Sequence, residues 1–599
     1  MNPELQLAND FIQYTNHNLF LTGKAGTGKT TFLHALKDKI PKHMIVTAPT
    51  GVAAINAGGV TLHSFFQLPF GPFVPGNEGN RFRFGNQKKR IIEKLDLLII
   101  DEISMVRADL LDGVDTVLRR YRRSDQPFGG VQLLMIGDLH QLSPVAKEDE
   151  WELLRPYYAT PYFFSSSALI QAGLITIELT HIYRQSDPDF IDLLNRVREN
   201  RLDDAAWDML NARHISDFTS PEDAGYITLT THNRSAEHIN DAELATLPDK
   251  LHTFEAKIEG EFPEHAYPTR ASLGLKVGAQ VMFVRNDPSP GKRFFNGKIG
   301  KVTRIRGDDI RVKCPDDKET ITVERISWKN ITYNLNPDSG KIEENVLGEF
   351  VQYPLRPAWA ITIHKSQGLT FDRAIIDANA AFAHGQVYVA LSRCRTLEGI
   401  VLRSPLSNRA IKTDTTVTEF VTNITTNPPS PALLEKAKSD YQRQLLMECF
   451  DFHELGICLN RLAGILKGNE QSIAVSGIQD IQESKQIIAA QVIAVGERFQ
   501  RQLTRLCDND VLPESDPAIA ERVTKAHGYF REKLQATVLN LLHDIRINAR
   551  TKDLREKVTK AMKNLEKETE RKLAVINTCK KGFSPDRYLR AVSRINERG

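Results

Sequence analysis

Gly23-Lys24-Ala25-Gly26-Thr27-Gly28-Lys29-Thr30 stands between a short apolar run at residues 18–22 and a run with helical apolar spacing at residues 31–36. This is the pattern G-x-x-x-x-G-K-[ST], whose glycines let successive backbone N–H groups turn inward around phosphate oxygens. Lys29 supplies a charge for the β- and γ-phosphates, and Thr30 supplies a hydroxyl for Mg²⁺. The stretch predicts a strand, a loop and a helix in an α/β domain that binds a nucleoside triphosphate.

Length and composition limit the classes of protein to which the chain can belong. The chain has 599 residues, more than one hydrophobic core normally holds, so we expect several domains. A net charge of +3 gives no global attraction for nucleic acid, so any such surface must be local. No stretch approaches about 18 consecutive apolar residues, and the N-terminus lacks a secretion or import pattern. Six cysteines without C-x-x-C spacing exclude a zinc ribbon and predict reduced thiols, as in a prokaryotic cytoplasm.

Apolar strand patterns alternate with helical patterns from residue 1 to about residue 185, which is typical of a doubly wound parallel sheet. The predicted strands include residues 44–48, 97–100 and 132–136. Polar or charged residues follow each of these runs, at the sheet edge where ligands bind in open α/β folds. A nucleotide site at this edge is therefore expected.

Residues 67–86 interrupt the alternation with prolines, glycines, aromatic residues and arginines. The residues in question are Pro69, Phe70, Gly71, Pro72, Phe73, Pro75, Gly76, Gly79, Arg81, Phe82, Arg83, Phe84 and Gly85. This composition fits an ordinary surface loop, and it also fits a segment that grips or splits nucleic acid beside the nucleotide site. Both interpretations stay open from composition alone.

A second α/β region begins near residues 226–229 and returns at residues 358–403. The gap at about 255–350 contains short β patterns and the turn signal Asn296-Gly297, which predict a small inserted β-barrel. A proline-rich linker at 427–431 then precedes long helical patterns. The net charge is −4 over residues 431–520, with 9 basic and 13 acidic residues, and +10 over residues 521–599, with 20 basic and 10 acidic residues. This tail fits either a solvated helical bundle or an accessory domain that binds nucleic acid or a partner.

A second nucleotide signature, Asp101-Glu102, follows the apolar run 97–100. An acidic residue ending a buried strand can hold Mg²⁺, usually through water, and a neighbouring Glu can orient or deprotonate the attacking water. The pair therefore favours hydrolysis over phosphoryl transfer to a small substrate. The stretch 137–145 follows another strand, and the amide of Gln141 is suited to sensing a γ-phosphate.

Together these motifs resemble the Pif-type (petite-integration-frequency) DNA helicases of superfamily 1B, in the RecD-like branch. The matching stretches lie in order within residues 3–403: 23–30, 48–51, 61–65, 101–105, 137–145, 183–185, 363–370 and 388–393. The resemblance implies an α/β fold with two RecA-like parallel-sheet motor domains, at 1–185 and 186–427. It further implies a small wedge insert at about 67–86 and an SH3-like β-barrel insertion at about 255–350. Residues 431–599 lie outside the resemblance, and we expect an all-helical C-terminal extension there.

The resemblance also implies roles at the ATP site. Gln6, seventeen residues before the first loop glycine, would read the adenine edge, and Arg184 and Arg393 would be arginine fingers for the γ-phosphate. The implied catalytic residues are Lys29, Asp101, Glu102, Gln141, Arg184 and Arg393. The implied ATP-binding residues are Gln6, Gly23, Lys24, Ala25, Gly26, Thr27, Gly28, Lys29, Thr30, Thr31, Gln141, Arg184, Gly368 and Arg393. The implied Mg²⁺ ligands are Thr30 and Asp101, so ATP and Mg²⁺ are the expected cofactors.

A groove across both domains is implied for single-stranded DNA, where hydroxyls, amides and a lysine would grip phosphates without reading sequence. The implied DNA-binding residues are Pro49, Thr50, Thr61, His63, Phe65, His140, His364, Lys365 and Ser366. Ser143 departs from the family pattern, which often has Pro there, without affecting Gln141. The expected partners are single-stranded DNA and its junctions with duplex, with no membrane.

The expected function is an ATP-dependent DNA helicase that moves 5′→3′, as a monomer, along single strands and unwinds duplex DNA or G-quadruplexes. The expected setting is genome maintenance, including DNA repair, recombination and telomere maintenance. Two alternatives stay open: a RecD-like motor subunit of a larger complex, and a nucleotide-gated DNA-binding protein without unwinding. The residues Asp101, Glu102, Arg184 and Arg393 favour a hydrolysing motor over the second alternative.

Overall fold

The structure is a computed structural model of the chain. It describes residues 2–37, 40, 42–68, 71–76, 84–185, 187–221, 224–289, 293–315, 317–335, 342–377, 385–407, 411, 414–508 and 511–598. The chain divides into two compact units, and the division falls between Pro429 and Ser430. The smaller unit also includes residues 13–16 and a short stretch near residue 335. Among the described residues, no helix has the length and apolar character needed to cross a membrane.

A six-stranded, entirely parallel sheet organises the first part of the larger unit, with strand order β3-β2-β4-β5-β1-β6. Its strands are β1 Leu19–Gly23, β2 Met44–Ala48, β3 Val60–Thr61, β4 Leu97–Ile100, β5 Gln132–Ile136 and β6 Ile175–Leu179. The helices of this part are α1 Pro3–Tyr14, α2 Lys29–Lys37, α3 Gly51–Ala57, α4 Leu62–Phe66, α5 Asn86–Lys94, α6 Ala108–Arg122, α7 Glu148–Leu154 and α8 Ser167–Ala172.

The central strands explain why this part of the chain forms a parallel sheet. Every residue of β1, β4 and β5 is buried, which accounts for their continuous rather than alternating apolar sequences. The strands predicted at 44–48, 97–100 and 132–136 are confirmed as β2, β4 and β5. Their carboxyl ends share one edge of the sheet, which brings together the loops that follow β1, β4 and β5.

The segment at 67–86 is described at residues 67–68, 71–76 and 84–86, and its remaining residues lie outside the described part of the chain. Phe73 and Phe84 are buried. The backbone N–H of Phe73 donates to the carboxylate of Asp109 at 2.8 Å, and the ring of Phe84 lies 4.8 Å from that of Tyr121. The backbone of Phe73 and the side chain of Phe84 therefore anchor the segment to α6. Strand separation by this segment stays a prediction.

A second parallel sheet, of order β18-β7-β19-β20, organises the rest of the larger unit. It is preceded by helices α9 Pro188–Arg198 and α10 Asp204–Asn211, and β7 Ile227–Thr230 leads into α11 Asn233–Thr246. Ten strands then intervene: β8 His252–Glu255, β9 Lys257–Gly260, β10 Ser272–Leu275, β11 Gln280–Phe283, β12 Ile299–Arg306, β13 Asp309–Lys313, β14 Ile321–Val323, β15 Ile326–Leu335, β16 Ile342–Gln352 and β17 Leu355–Pro357. The second sheet resumes with β18 Ala360–Thr362, β19 Ala374–Asp377, α12 Gln386–Leu391, β20 Ile400–Leu402 and α13 Thr415–Thr426.

The ten inserted strands form their own small sheets. A five-stranded antiparallel sheet has the order β14-β13-β12-β11-β17, a three-stranded sheet has the order β15-β16-β9, and β8 pairs with β10. The inward residues Val281, Phe283, Val302, Val312 and Leu355 form part of a separate apolar core. The insertion is thus a domain with its own core, set between β7 and β18.

The smaller unit is mainly helical. Its elements are α14 Pro431–Cys449, α15 His453–Lys467, β21 Ile473–Ser476, α16 Ile481–Ile488, α17 Ala494–Leu506, α18 Pro517–Lys533, α19 Asn540–Asp544, β22 Arg546–Ala549, α20 Lys552–Thr578 and α21 Pro585–Arg598. Two π-helical turns, Ala489–Ile493 and Leu534–Leu539, continue the neighbouring helices. The expectation of a helical region is confirmed, with one addition: β21 and β22 pair antiparallel. This pairing joins stretches about 70 residues apart, so no local pattern could predict it.

Candidate active site

The loop between β1 and α2 has the backbone shape of a phosphate cradle. Gly26 and Gly28 have φ angles of +82° and +88°, which L side chains rarely adopt. A Cβ on Gly26 would lie 2.4 Å from the Cβ of Arg184, so the loop and the segment carrying Arg184 approach as closely as glycine permits. The carbonyl of Gly26 also accepts a hydrogen bond from the N–H of Tyr183 at 2.8 Å.

Lys29 lies at the start of α2, and its ammonium group folds over the loop. Its Nζ donates to the carbonyl oxygens of Gly23 and Lys24 at 2.6 and 3.0 Å. Burial lowers the pKa of Lys29, while the carboxylates of Asp138 and Glu102 act in the opposite direction. The mouth of the loop therefore carries a positive charge that is poorly solvated and suited to phosphate oxygens.

Asp101 and Glu102 follow the end of β4. Asp101 is 8% exposed, and burial raises its pKa to about 6. Burial and the neighbouring Asp101 raise the pKa of Glu102 to about 7, against the opposing charges of Lys29 and Arg393. Glu102 has a φ of +52°, an uncommon conformation that turns its side chain at the strand end. A carboxylate whose pKa is near neutral is matched to proton transfer at physiological pH.

The second sheet contributes directly to the position of Glu102. Gln367, in the loop after β18, donates its Nε2–H to Oε2 of Glu102 at 2.8 Å. Glu102 follows a strand of the first sheet and Gln367 follows a strand of the second. The hydrogen bond between them therefore links the candidate base to both sheets. The stretch 363–370 is one of the matching motifs, but its pattern does not indicate this role for Gln367.

Gln141 belongs to a buried network that follows β5. Its Nε2–H donates to Oδ2 of Asp138 at 3.2 Å, and Arg198, at the end of α9, donates to Oδ1 of Asp138 at 3.3 Å. Burial alone would raise the pKa of Asp138, but Arg198 and Lys29 outweigh it and bring the pKa to about 2. The ionised Asp138 thus holds the amide of Gln141 in place. Arg198 stands outside the recognised motifs, and only the fold identifies it.

Arg184 and Arg393 lie close together on the segments that face the loop. Nη1 of Arg184 donates to the carbonyl of Ser392 at 3.3 Å, and burial together with the charge of Arg393 lowers the pKa of Arg184 to about 9. Arg393 is 1% exposed and donates from Nε to the carbonyl of Val389 at 2.9 Å. Two neighbouring guanidinium groups, one half-buried and one buried, are suited to a strongly anionic ligand.

The residues present fit a magnesium–nucleotide complex. The cradle tolerates no side chain at Gly26, Lys29 supplies the cation, and Thr30 presents an exposed hydroxyl beside it. No group of three or more His, Cys, Asp or Glu side chains suited to a metal occurs in the described part of the chain. A Mg²⁺ site built from Thr30, Asp101 and phosphate oxygens is consistent with that, since Mg²⁺ usually binds through few protein ligands.

Three predicted nucleotide contacts lie on exposed positions. Gln6 is on the outer face of α1 and hydrogen-bonds Asp10 at 2.9 Å, Thr31 is exposed on α2, and Gly368 has a φ of +78° with open space around it. Adenine recognition by Gln6 stays a prediction.

The predicted strand-binding residues divide by burial. Thr50 and Thr61 cap the N-termini of α3 and α4 by accepting from the N–H groups of Ala53 and Ser64, both at 3.2 Å. Pro49, His63 and His364 are half-buried, and Lys365 is exposed. In contrast, Phe65, His140 and Ser366 are buried, and the hydroxyl of Ser366 donates to the carbonyl of Ile363 at 2.7 Å. Phe65 nevertheless lines one of the two clefts described below, and contacts of these three residues with DNA stay a prediction.

Two clefts in the larger unit lie beside these residues. One, of about 490 Å³, is lined by Thr61, Ser64 and Lys88 from the first sheet region and by Lys329 and Asn330 from β15. The other, of about 330 Å³, is lined by Lys365 with Arg270 and Arg356 of the insertion. Burial, and then the charge of Arg356, lower the pKa of Lys365. Concave surfaces with hydroxyls and cations are suited to a phosphate backbone.

The sequence of the chain is similar to those of known proteins and family models. Residues 5–207 match the family model described as PIF1-like helicase, and residues 433–598 match the model described as DNA helicase, middle domain. The ATP-dependent DNA helicase Pif1 of Bdellovibrio bacteriovorus is 33% identical over 411 residues, which cover 67% of this chain and 87% of that protein. Human ATP-dependent DNA helicase PIF1 is 36% identical over 403 residues, covering 64% of this chain and 58% of the human protein.

Solved structures of Pif1 helicases are also similar to this chain. The crystal structure of Bacteroides sp. Pif1 in complex with ADP-AlF4 aligns with a TM-score of 0.66 and 43% identity, covering 71% of this chain and 97% of that one. Bacteroides Pif1 bound to single-stranded DNA aligns with a TM-score of 0.52 and 42% identity over the same shares. The chain therefore shares its sequence pattern and its parallel-sheet core with these proteins.

Proposed function

The chain belongs to the Pif1 family of ATP-dependent DNA helicases, and from that premise we propose that it moves 5′→3′ along single-stranded DNA and separates duplex ahead of it. The observation that carries the proposal is the hydrogen bond between Gln367 and Glu102. Through this bond a residue that follows a strand of the second sheet holds the candidate base, which follows a strand of the first sheet. Hydrolysis and the relative position of the two sheets therefore depend on each other.

We assign the ATP chemistry to residues already gathered at the loop. Lys29 neutralises the β- and γ-phosphates, Gln141 senses the γ-phosphate from its Asp138 anchor, and Glu102 accepts a proton from the attacking water. Mg²⁺, held by Thr30 and Asp101, would neutralise charge on the phosphate oxygens. Arg184 and Arg393 stabilise the charge that develops as the γ-phosphate leaves. Gln6, Gly368 and Thr31 are assigned to nucleotide binding on the resemblance alone.

The strand path follows the two clefts. We propose that Thr50, Thr61 and Lys365 grip phosphates with hydroxyl and ammonium groups, with Pro49, His63 and His364 beside them, so that binding is independent of sequence. Closure on ATP and opening after hydrolysis would then ratchet the strand past the segment at 67–86, our proposed wedge. The 5′→3′ direction rests on the family, because no residue spacing encodes it.

We also propose the DNA ligands, the oligomeric state and the cellular setting of the protein. Bacteroides Pif1 has been solved bound to single-stranded DNA, and a further similar structure concerns the unwinding of forked duplex DNA by two coordinating Pif1 helicases. We propose single strands and their duplex junctions as ligands here, a monomeric motor as the basic unit, and roles in repair, recombination and telomere or G-quadruplex maintenance. ATP and DNA must share a compartment, for which we propose a prokaryotic cytoplasm. A RecD-like subunit of a larger complex is the alternative that size-exclusion chromatography of lysate would reveal.

ATP hydrolysis with and without single-stranded DNA tests the proposal. We expect hydrolysis by the wild type to be stimulated by the strand, and Lys29→Ala to abolish it while the strand is still bound. Lys318→Ala, which removes an exposed lysine from the connection between β13 and β14, is the matched control. Wild-type hydrolysis in Lys29→Ala would refute the loop as the active site, and a wild type without hydrolysis would favour a nucleotide-gated binding protein.

A further inference from the structure

Tyr388 joins the second sheet region to the phosphate-binding loop. It lies on α12, five residues before Arg393, and is 4% exposed. Its hydroxyl oxygen accepts a hydrogen bond from the backbone N–H of Ala25 at 3.2 Å. Ala25 is in the middle of the loop whose N–H groups cradle phosphates, so the hydroxyl occupies a position beside the ligand.

The hydroxyl of Tyr388 carries a proton for which the described residues provide no hydrogen-bond acceptor. A phenolic hydroxyl offers one donor and accepts through its lone pairs, and the bond from Ala25 uses only the acceptor side. Across the residues that the structure describes, the Ala25 bond is the one hydrogen bond of the Tyr388 hydroxyl. Burial raises the pKa of Tyr388 to about 12, so the group keeps its proton at physiological pH. A buried donor without an acceptor is costly, which indicates that the site supplies one.

The neighbours of Tyr388 narrow the identity of this acceptor. The carboxylate of Asp138 lies near enough to influence Tyr388, but its oxygens are engaged by Arg198, Gln141 and the N–H of His140. Arg184 packs against Gly26, the residue after Ala25, and Arg393 belongs to the same segment as Tyr388. Apart from the Asp138 carboxylate, the groups named at this end of the loop are donors and cations, which together suit a phosphate oxygen.

We propose that the Tyr388 hydroxyl is a ligand of the terminal phosphate of ATP. The inference rests on the proposed function, since it requires the loop to bind ATP. Accepting from Ala25 and donating to the phosphate, the hydroxyl ties α12 to both the loop and its ligand. Nucleotide binding would thereby pull on the segment that carries Arg393, in addition to the bond between Gln367 and Glu102.

Tyr388→Phe tests this assignment, because it removes one oxygen and keeps the ring that packs in the core. Affinity for a non-hydrolysable ATP analogue and for ADP should be measured side by side on the full chain, together with the ATPase rate. A hydrogen bond to a charged group corresponds to about 10- to 100-fold in affinity or rate. We expect a loss of that order for the ATP analogue and for turnover, with ADP affinity changed less than about 3-fold.

Tyr353→Phe is the matched control, since Tyr353 is buried in the insertion and its hydroxyl donates to the carbonyl of Asp308 at 2.9 Å. It should leave both nucleotide affinities as in the wild type. Unchanged affinities in Tyr388→Phe, or equal losses for ATP analogue and ADP, would overturn the assignment and make the hydroxyl a purely structural support. Absence of hydrolysis in the wild type would instead count against the proposed function, while the comparison of analogue with ADP still tests Tyr388.

Discussion

Glu102 shows at the scale of one residue how the site uses burial. Its carboxylate is held by the amide of Gln367 and lies beside Asp101, whose pKa is raised by burial to about 6. Burial raises its pKa from an ordinary 4.5 to about 7. A base with this pKa can take a proton from water at neutral pH and return it afterwards. The same shift has a cost, because the ionised form is less stable in the folded protein than in the unfolded chain.

The stability of the nucleotide-free protein should reveal that cost. Between about pH 4.5 and 7 the folded protein holds a proton that the unfolded chain has released, so the contribution of Glu102 falls as the pH rises. Glu102→Gln keeps an acceptor oxygen for Gln367 but carries no charge. We expect the variant to match the wild type at pH 4.5 and to be more stable at pH 8.5, by on the order of 1 kcal/mol.

Denaturant midpoints at the two pH values provide the measurement. Glu419→Gln, which changes an exposed carboxylate on α13, is the control and should show no such difference. A variant of Glu102 that is equally stable, or less stable, at pH 8.5 would contradict the raised pKa.

At the scale of elements, α12 and the turn after it connect the two sheets. Arg393 follows α12 and is held by the carbonyl of Val389 and the hydroxyl of Ser392. Gln185, in the segment beside the phosphate loop, donates to the carbonyls of Ser392 and Cys394 at 3.2 and 3.1 Å. The backbone of this turn is thus fixed by Gln185, which holds Arg393 at the position from which we propose that it acts on the γ-phosphate.

Arg393→Ala should lower turnover far more than nucleotide affinity, since its charge matters most while the phosphate leaves. Arginine fingers in related systems contribute about 10³- to 10⁵-fold in rate. Turnover and ATP-analogue affinity should be compared in the same preparation, with Arg403→Ala, an exposed arginine paired with Asp377 at 3.5 Å, as control. Small and equal effects of Arg393→Ala on both quantities would assign Arg393 to a structural role.

The elements that sequence could predict are those specified locally. The loop at 23–30 and the buried strands 44–48, 97–100 and 132–136 follow from apolar runs and their polar ends, and the structure confirms these strands. Arg198, Gln367 and the hydroxyl of Tyr388 acquire their roles only through partners 60, 265 and 363 positions away. A pattern within one segment contains no information about such pairs.

At the scale of the whole molecule, the chain combines a unit that holds every recognised motif with a second, mainly helical unit. The second unit matches the model described as DNA helicase, middle domain, over residues 433–598. Its final 79 residues carry the +10 excess of charge. Lys560, Lys563 and Lys567 are exposed on α20 at helical spacing, so they share one face.

Truncation after Pro429 should leave an active motor that binds DNA more weakly, with a flatter dependence of log K on log salt, if this face contacts phosphates. Replacing Lys560, Lys563 and Lys567 by glutamine in the full chain is the matched variant, because it removes three charges and keeps the unit. It should reduce the slope by about 2 to 3, at roughly 0.7 to 0.9 per phosphate contact. An unchanged slope in both proteins would make the unit structural or protein-binding, and an inactive truncation would show that the motor requires it.

The central claim is a motor that moves 5′→3′ and is driven by the site built around Lys29 and Glu102. Fluorescence unwinding of one duplex, carrying either a 5′ or a 3′ single-stranded overhang, tests it most directly when ATP and Mg²⁺ are present. A G-quadruplex substrate run in parallel reports the preferred structure. We expect strand separation with the 5′ overhang alone, and none in Lys29→Ala. Unwinding from the 3′ overhang only, or from neither with ATP hydrolysis intact, would contradict the account.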